Sequence, residues 1–383
     1  MKSHQQQCPS RRASDPAGPA LRLGNSLPGI SCGVSLGALL MVLLAVPSIA
    51  SAHEVYVLSS GQIMSAIGTP SFNMWDTLTA NLGQFVFWAF IGVLTVFGVF
   101  WISVLRFLER WLDPMFLRMR KYAPLIARVT IGLSFLAAAY YQASYGPELP
   151  LTLNFGAYAG IVTVVLVAVG LMATFGFYTR VAAFAALILY SIAVWKHGWY
   201  MLTYVNYLGE IIVLLILGAH SFSLDGYLAA KNGTSKGFSS SIAWLRKAKA
   251  YLVPRSFMIL RILFGVALIY ASAYAKIIHN NLALDTVNDY HLDKLLGFEP
   301  HFLVLGAAIV ELAIGLFFIL GIEIRFTALF LLFWLTLSLI FFGEVVWPHL
   351  ILIGIPIAYI FYGYDRYSLE GWLFRKKKYE PVL

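Results

Sequence analysis

Charge is scarce in this chain: Asp, Glu, Lys and Arg make up 12% of 383 residues, against 60% hydrophobic. A soluble domain uses about 25% charged residues to keep its surface wet, so a water-soluble globular fold is excluded. Cysteine is almost absent. Cys8 and Cys32 both lie in a leading segment, and if that leader is removed the working protein has no disulfide, thiolate nucleophile or cysteine metal ligand. Also missing are a Gly-rich phosphate loop, a dinucleotide fingerprint and a paired metal motif. The chain therefore binds no nucleotide cofactor by itself, and no metal site is assigned. The formal net charge of +9 would suit nucleic acid on a soluble protein. On so apolar a chain it reads as basic loops on one side of a membrane, and nucleic acid is not an expected partner.

What the sequence has is apolar runs of about 20 residues, the length that spans a hydrocarbon core as a helix. Lipid cannot satisfy backbone polar groups, so such runs are helices or closed barrels. A barrel would show short alternating segments, whereas these runs are continuous. The expected fold class is all-α integral membrane, with the lipid bilayer as first partner. Spans are predicted at about 83–105, 124–143, 157–177, 180–196, 202–222, 256–276, 302–322, 325–343 and 348–363. Residues 1–52 read as a signal peptide or signal-anchor, because the apolar run from Gly33 to Val46 ends in Ala50-Ser51-Ala52, the small-residue spacing of a cleavage site. Residues 53–123 hold an outer segment without Lys or Arg, a first transmembrane helix and a basic inner loop. With residue 53 outside, the loops place eighteen Lys and Arg inside and three outside, Lys196, Lys276 and Lys294. That bias predicts a bacterial-type inner membrane, a mature N-terminus outside and a cytoplasmic C-terminus.

Self-comparison finds a repeat. Gly170, Gly176, Arg180 and Gly209 recur at a constant offset of 145 as Gly315, Gly321, Arg325 and Gly354. The same offset maps Ser223-Leu224-Asp225-Gly226-Tyr227-Leu228 onto Ser368-Leu369-Glu370-Gly371-Trp372-Leu373. Upstream, Arg128 and Gly132 recur as Arg261 and Gly265 at offset 133, so the second copy has about 12 more residues in its first outer loop, within 277–301. The predicted architecture is two tandem four-helix transmembrane bundles in parallel orientation plus one extra N-terminal transmembrane helix. The copies are 124–230 and 256–375, joined by a basic cytoplasmic linker, 231–255, and followed by a basic tail, 376–383.

These residues resemble the DoxX/DoxD-like family of four-helix membrane proteins. That pattern has Arg-x-x-x-Gly opening its first helix, a Lys after it, Glu-x-x-x-Gly leading into Gly-x-x-x-Arg, and a Ser-Leu-Asp-like motif after the fourth helix. The second copy carries Arg261 to Gly265, Lys276, Glu311 to Gly315, Gly321 to Arg325 and Ser368-Leu369-Glu370. The first keeps Arg128, Gly132, Gly176, Arg180 and Ser223-Leu224-Asp225 but has Leu166 in place of the Glu and Ala143 in place of the Lys. It is degenerate at its polar sites. The resemblance implies a subunit of a quinone-linked membrane redox system, with a protein partner supplying electrons and quinone as the ligand.

An ionisable group at mid-bilayer costs about 2.5–3.5 kcal/mol by insertion scales, so it faces a partner or a wet cavity. Glu311 is the strongest candidate, either a proton-accepting carboxylate beside a bound headgroup or a structural partner of Lys276, Arg261 or His349. Glu210 either replaces the lost carboxylate from a neighbouring helix or pairs with Lys196 or Arg128. Arg128 and Arg261 either snorkel to the inner interface or clamp the regions of Asp225 and Glu370. Arg180 and Arg325, in tight turns after Gly176 and Gly321, read as positive-inside anchors. His349 follows Pro348 near Glu344, a pair able to relay protons. Tyr140, Tyr141, Trp195, Trp199, Tyr200, Trp347, Phe361 and Tyr362 fall at span ends, as an interfacial belt would. The expected site is a polar pocket opening outward in the second copy. Glu311, Lys276 and His349 carry its chemistry, and Arg261, Glu210 and Glu344 hold the substrate. A permease, a lipid-handling protein and a non-catalytic assembly scaffold are the alternatives of other classes.

Overall fold

A computed structural model describes residues 58–219, 222–232, 247, 250–342 and 347–374. The leader, the basic tail, most of the linker and Glu344 lie outside the described residues. Two short helices, α1 (Ser60–Gly68) and α2 (Met74–Leu82), precede the long α3 (Phe85–Met119). Then follow α4 (Ala123–Tyr140), α5 (Leu151–Phe155), α6 (Ala159–Phe175), α7 (Thr179–His197), α8 (Val205–Leu217) and α9 (Leu224–Asn232). The remainder comprises α10 (Ser256–Ala273), α11 (Asn281–Asp289), α12 (Leu292–Leu296), α13 (Pro300–Leu320), α14 (Ile324–Phe342), α15 (Pro348–Tyr362) and α16 (Leu369–Phe374). Among the described residues there is no strand, only an isolated bridge between Ala143 and Pro150.

Seven stretches are long and apolar enough to cross a membrane. One of them, residues 179–217, contains two helices. The chain breaks direction at Gly198, where φ is +57°, and Arg180 at the start of α7 donates to the carbonyls of Leu215 and Ile216 at the end of α8. The two helices therefore run antiparallel. With the shorter apolar α15, the described residues hold nine apolar helices: α3, α4, α6, α7, α8, α10, α13, α14 and α15. The chain is a polytopic membrane protein.

In lipid there is no hydrophobic drive between apolar helices, so association relies on close backbone approach at small residues. Here α4 meets α6 at Gly132 and Gly170, and α10 meets α13 at Gly265 and Gly315. Crossed contacts tie these pairs together: α8 lays Gly209 on Leu260 and Leu263 of α10, and α15 lays Gly354 on Thr130 of α4. By contrast α3 turns Val93, Val96, Phe97 and Phe100 outward, as a lipid-facing helix does.

The described part of the expected outer segment, residues 58–82, forms α1 and α2. Ser59 and Gln62 form a capping box at the start of α1. Gln62 Nε2 donates to Asp289 Oδ2 at 2.7 Å, Asn280 both donates to and accepts from the backbone of Phe72, and Asn281 donates to the carbonyls of Thr69 and Pro70. Among the extra residues of the 277–301 loop, Asn280 and α11 are what this segment grips. Together they cap the end of the bundle that the charge count assigns to the outside, called the outer end below.

Candidate functional site

Lys276 sits at the outer end of α10, where the helix widens into a π-helical turn, Tyr274–Ile278. A π turn inserts one extra residue and is found frequently at functional sites. Its ammonium lies 3.0 Å from Glu311 Oε2, midway along α13. The two partners differ in access: the Lys276 side chain is 6% exposed and that of Glu311 is 24%. The Lys276 side chain is thus sealed while that of Glu311 stays partly open within the span.

His349 of α15 stands on the wall of a cavity that α8 and α10 also line. The cavity is lined by Tyr200, Thr203, Tyr204, Asn206, Tyr207, Ala267, Ala271, Tyr274 and His349. At its side Glu148 accepts hydrogen bonds from Tyr200 at 3.1 Å and from Tyr204. Tyr207 shares a 2.8 Å hydrogen bond with Ser134 and donates to the Tyr145 carbonyl. Burial, with Tyr190 and Tyr207 alongside, pushes the Tyr145 hydroxyl well above its ordinary value, so it stays a neutral hydroxyl. Tyr200 therefore belongs to an internal cluster and not to the expected belt. Tyr362 is likewise internal, stacked on Phe257 with ring centroids 4.1 Å apart. Tyr140, Trp195 and Trp199 are exposed, as belt residues are.

Arg261 is not part of the outer pocket expected for it. It lies at the opposite end, fully buried, donating to the carbonyls of Phe318, Ile319 and Tyr367. Arg128 does the same to Ala219 and Phe222. A guanidinium satisfies several helix-terminal carbonyls at once, which explains why each is buried and not snorkelling. Both arginines thus reach the segment just before the Ser-Leu-acid motifs, and Asp225 faces Arg128 electrostatically. Glu370 Oε2 accepts from the Ile324 N–H, and the backbone N–H groups of Asp225 and Glu370 bond to Gly176 and Gly321. Glu210 is fully buried in α8 and receives a 3.3 Å bond from Thr130. Lys196, offered as its partner, lies over the Phe155 ring instead. Glu344 lies outside the described residues.

Two groups escaped the sequence reading. One is the Glu148–tyrosine cluster. The other is an inner network in which Arg325 pairs with Glu109 at 2.6 Å and Asp113 at 2.9 Å, and Arg106 pairs with Glu323. Arg325 is thus an ion-pair hub as well as a basic loop residue. The available signal was Glu109 and Asp113 spaced four apart on one helix face. Glu109, Glu323 and Glu370 have carboxylate oxygens within 4.8 Å of one another. Two of these carboxylates are held by guanidiniums and the third by a backbone N–H, so the group reads as an ion-pair network and not a metal centre.

The decisive comparison covers the segment with the Lys276–Glu311 pair. The DoxX family model matches residues 256–344, from the start of α10 to just past α14. Residues 256–344 are DoxX-like. DoxX is a membrane family, in keeping with the helices described. No curated protein matches the chain. No solved structure matches it either.

Proposed function

We propose that this DoxX-like membrane protein is a subunit of a quinone-linked redox system, with the Lys276–Glu311 pair meeting the quinone headgroup. The observation that carries this reading is the asymmetry of the pair: a sealed Lys276 side chain whose ammonium lies 3.0 Å from the carboxylate of a partly exposed Glu311. A bridge serving structure alone repays its desolvation only when further hydrogen bonds satisfy the remaining lone pairs. A partly exposed Glu311 at mid-membrane can be reached by a headgroup dissolved in the bilayer. Lys276 would donate to a quinone carbonyl, and Glu311 would take up or release the proton that accompanies reduction. Electrons would come from a partner protein, since the sequence offers no electron-transfer centre of its own. The shared glycine, arginine and Ser-Leu-acid positions support reading residues 124–230 as a second, degenerate DoxX-like bundle. The loop-charge bias supports a cytoplasmic C-terminus in a bacterial-type inner membrane.

The test is binding of a short-chain ubiquinone to the purified full-length protein in lipid nanodiscs. Glu311→Gln should weaken binding by about tenfold or more, the equivalent of one charge-assisted hydrogen bond. Equal affinity in both proteins, or no binding by either, removes the reading. Retention of phospholipid by the wild type, lost in Glu311→Gln, would point to lipid handling instead.

A further inference from the structure

The cavity between α8 and α10 encloses about 50 Å³. That is room for a few waters at roughly 10–15 Å³ each, and well short of the roughly 300 Å³ at which small-molecule pockets begin. Its walls are polar in a specific way. Thr203 Oγ1 and Asn206 Oδ1 are buried there without a protein partner, and Glu148 Oε2 beside the cavity is in the same condition. Glu210 Oε2 is a further such atom. Glu210 follows Asn206 by four residues, so both lie on one face of α8, one turn apart. Asn206 is 3% exposed and Glu210 0%. Native interiors satisfy buried polar atoms of this kind with ordered water.

Glu210 is also a carboxyl group with no counter-ion. Thr130 from α4 gives it one bond at 3.3 Å, and among the described residues no salt bridge reaches it. Among the described residues it acts on Tyr207 of its own helix and Tyr359 from α15, and His349 from α15 stands on the cavity wall. Arg261 from α10 acts on Tyr359, but its guanidinium is engaged by three carbonyls. A buried charge without a partner is far costlier than a neutral carboxyl, so a proton belongs on this group.

We propose that the cavity holds a water chain through which Glu210, in the middle of the membrane, exchanges its proton with the outer surface, with Glu148, Tyr200 and Tyr204 as the entrance. A proton released by Glu148 passes along hydrogen-bonded water past Asn206 and ends on the Glu210 carboxylate. The reverse movement empties it, and nothing is oxidised or reduced. This path stands whether or not a quinone meets the Lys276–Glu311 pair.

The experiment is infrared spectroscopy of the full-length protein in nanodiscs, transferred from H2O to D2O. The wild type should show a neutral-carboxyl band that Glu210→Gln removes and that shifts promptly in D2O. Ala271→Leu fills the cavity without deleting a polar group. It should slow the shift by more than about tenfold, because exchange then waits for local opening of the bundle. Asn206→Leu, which removes the oxygen between cavity and carboxyl, should do the same and keeps the test decisive if the larger side chain prevents folding. No band lost in Glu210→Gln, or exchange as fast in the folded blocking variant as in the wild type, overturns the proposal.

Discussion

Two runs of four apolar helices, α4, α6, α7 and α8 and then α10, α13, α14 and α15, make similar contacts at one end and unlike ones at the other. At the inner end a buried arginine of the first helix donates to backbone carbonyls, Arg128 to Ala219 and Phe222 after α8, and Arg261 to Phe318 and Ile319 of α13 and Tyr367 after α15. The serines of the Ser-Leu-acid motif cap the following turn in the same way, Ser223 to Gly226 and Ser368 to Gly371, each at 3.0 Å. At the outer end the second half has the Lys276–Glu311 ion pair, while the first has buried Ala143 and Leu166 at the corresponding offsets. The inner ends are held by backbone clamps that both runs share, and the outer ends differ in the side chains they bury.

Removing the arginines should give the largest effect and an unequal one. Arg261 satisfies three carbonyls and Arg128 two. Each buried carbonyl left without a donor costs about 1–3 kcal/mol. Arg261→Ala should therefore lose on the order of 3–5 kcal/mol, and Arg128→Ala less by about one such bond, read as unfolding midpoints of the full chain in mixed micelles. An Arg128→Ala variant less stable than Arg261→Ala would break the comparison.

The glycines beside these arginines should instead give equal losses. Gly176 and Gly321 take φ of +68° and +70°, and an added Cβ would lie 2.6 Å from Ser223 Cβ in one half and from Ser368 Cβ in the other. The left-handed backbone costs a side chain about 1–2 kcal/mol, and displacing the packed neighbours adds to it. Gly176→Ala and Gly321→Ala should each lose about 2–4 kcal/mol by the same assay, alike to within error. A clear gap between them would mean that one clamp is already loose.

These contacts explain what the sequence could reveal. Glycines and arginines at the inner end recur at fixed offsets because their partners are backbone atoms, which every sequence supplies. A carbonyl clamp is therefore visible as a spacing. Apolar span lengths were legible for the same reason, since bilayer thickness sets them. The outer cluster was not. Glu148 finds Tyr200 and Tyr204 on the far side of α5, α6 and α7, and Arg325 finds Glu109 across more than two hundred residues. Such partners have no periodicity and depend on how distant helices pack. Arg261 was misplaced because a buried cation in a membrane chain suggests a ligand, whereas its hydrogen bonds are spent on helix ends.

The smallest effect sharpens the contrast at the outer end, through pH. At the offset of 145, Glu299 corresponds to Asn154, and each touches a histidine: Glu299 pairs with His301, and Asn154 Oδ1 lies 2.8 Å from His197 Nε2. Glu299 also caps α13, accepting from the Phe302 N–H at 2.9 Å. Partial burial pushes its carboxyl up, but the hydrogen bonds from His301 and Phe302 outweigh this and hold it below the ordinary carboxylate value of 4.5. The folded state then binds fewer protons than the unfolded one in that window. The stabilisation is complete above pH 4.5 and is lost as pH falls through the depressed folded value. Glu299→Gln should cost about 0.5–1 kcal/mol at neutral pH, the scale of a weakened helix cap. Its difference from the wild type should shrink towards zero in acid. Asn154→Ala removes a contact whose Asn154 side does not titrate, so its cost should not vanish in acid through loss of a carboxylate. If the Glu299→Gln difference is unchanged down to acid pH, the cap is held by packing and the two outer ends are more alike than their side chains suggest.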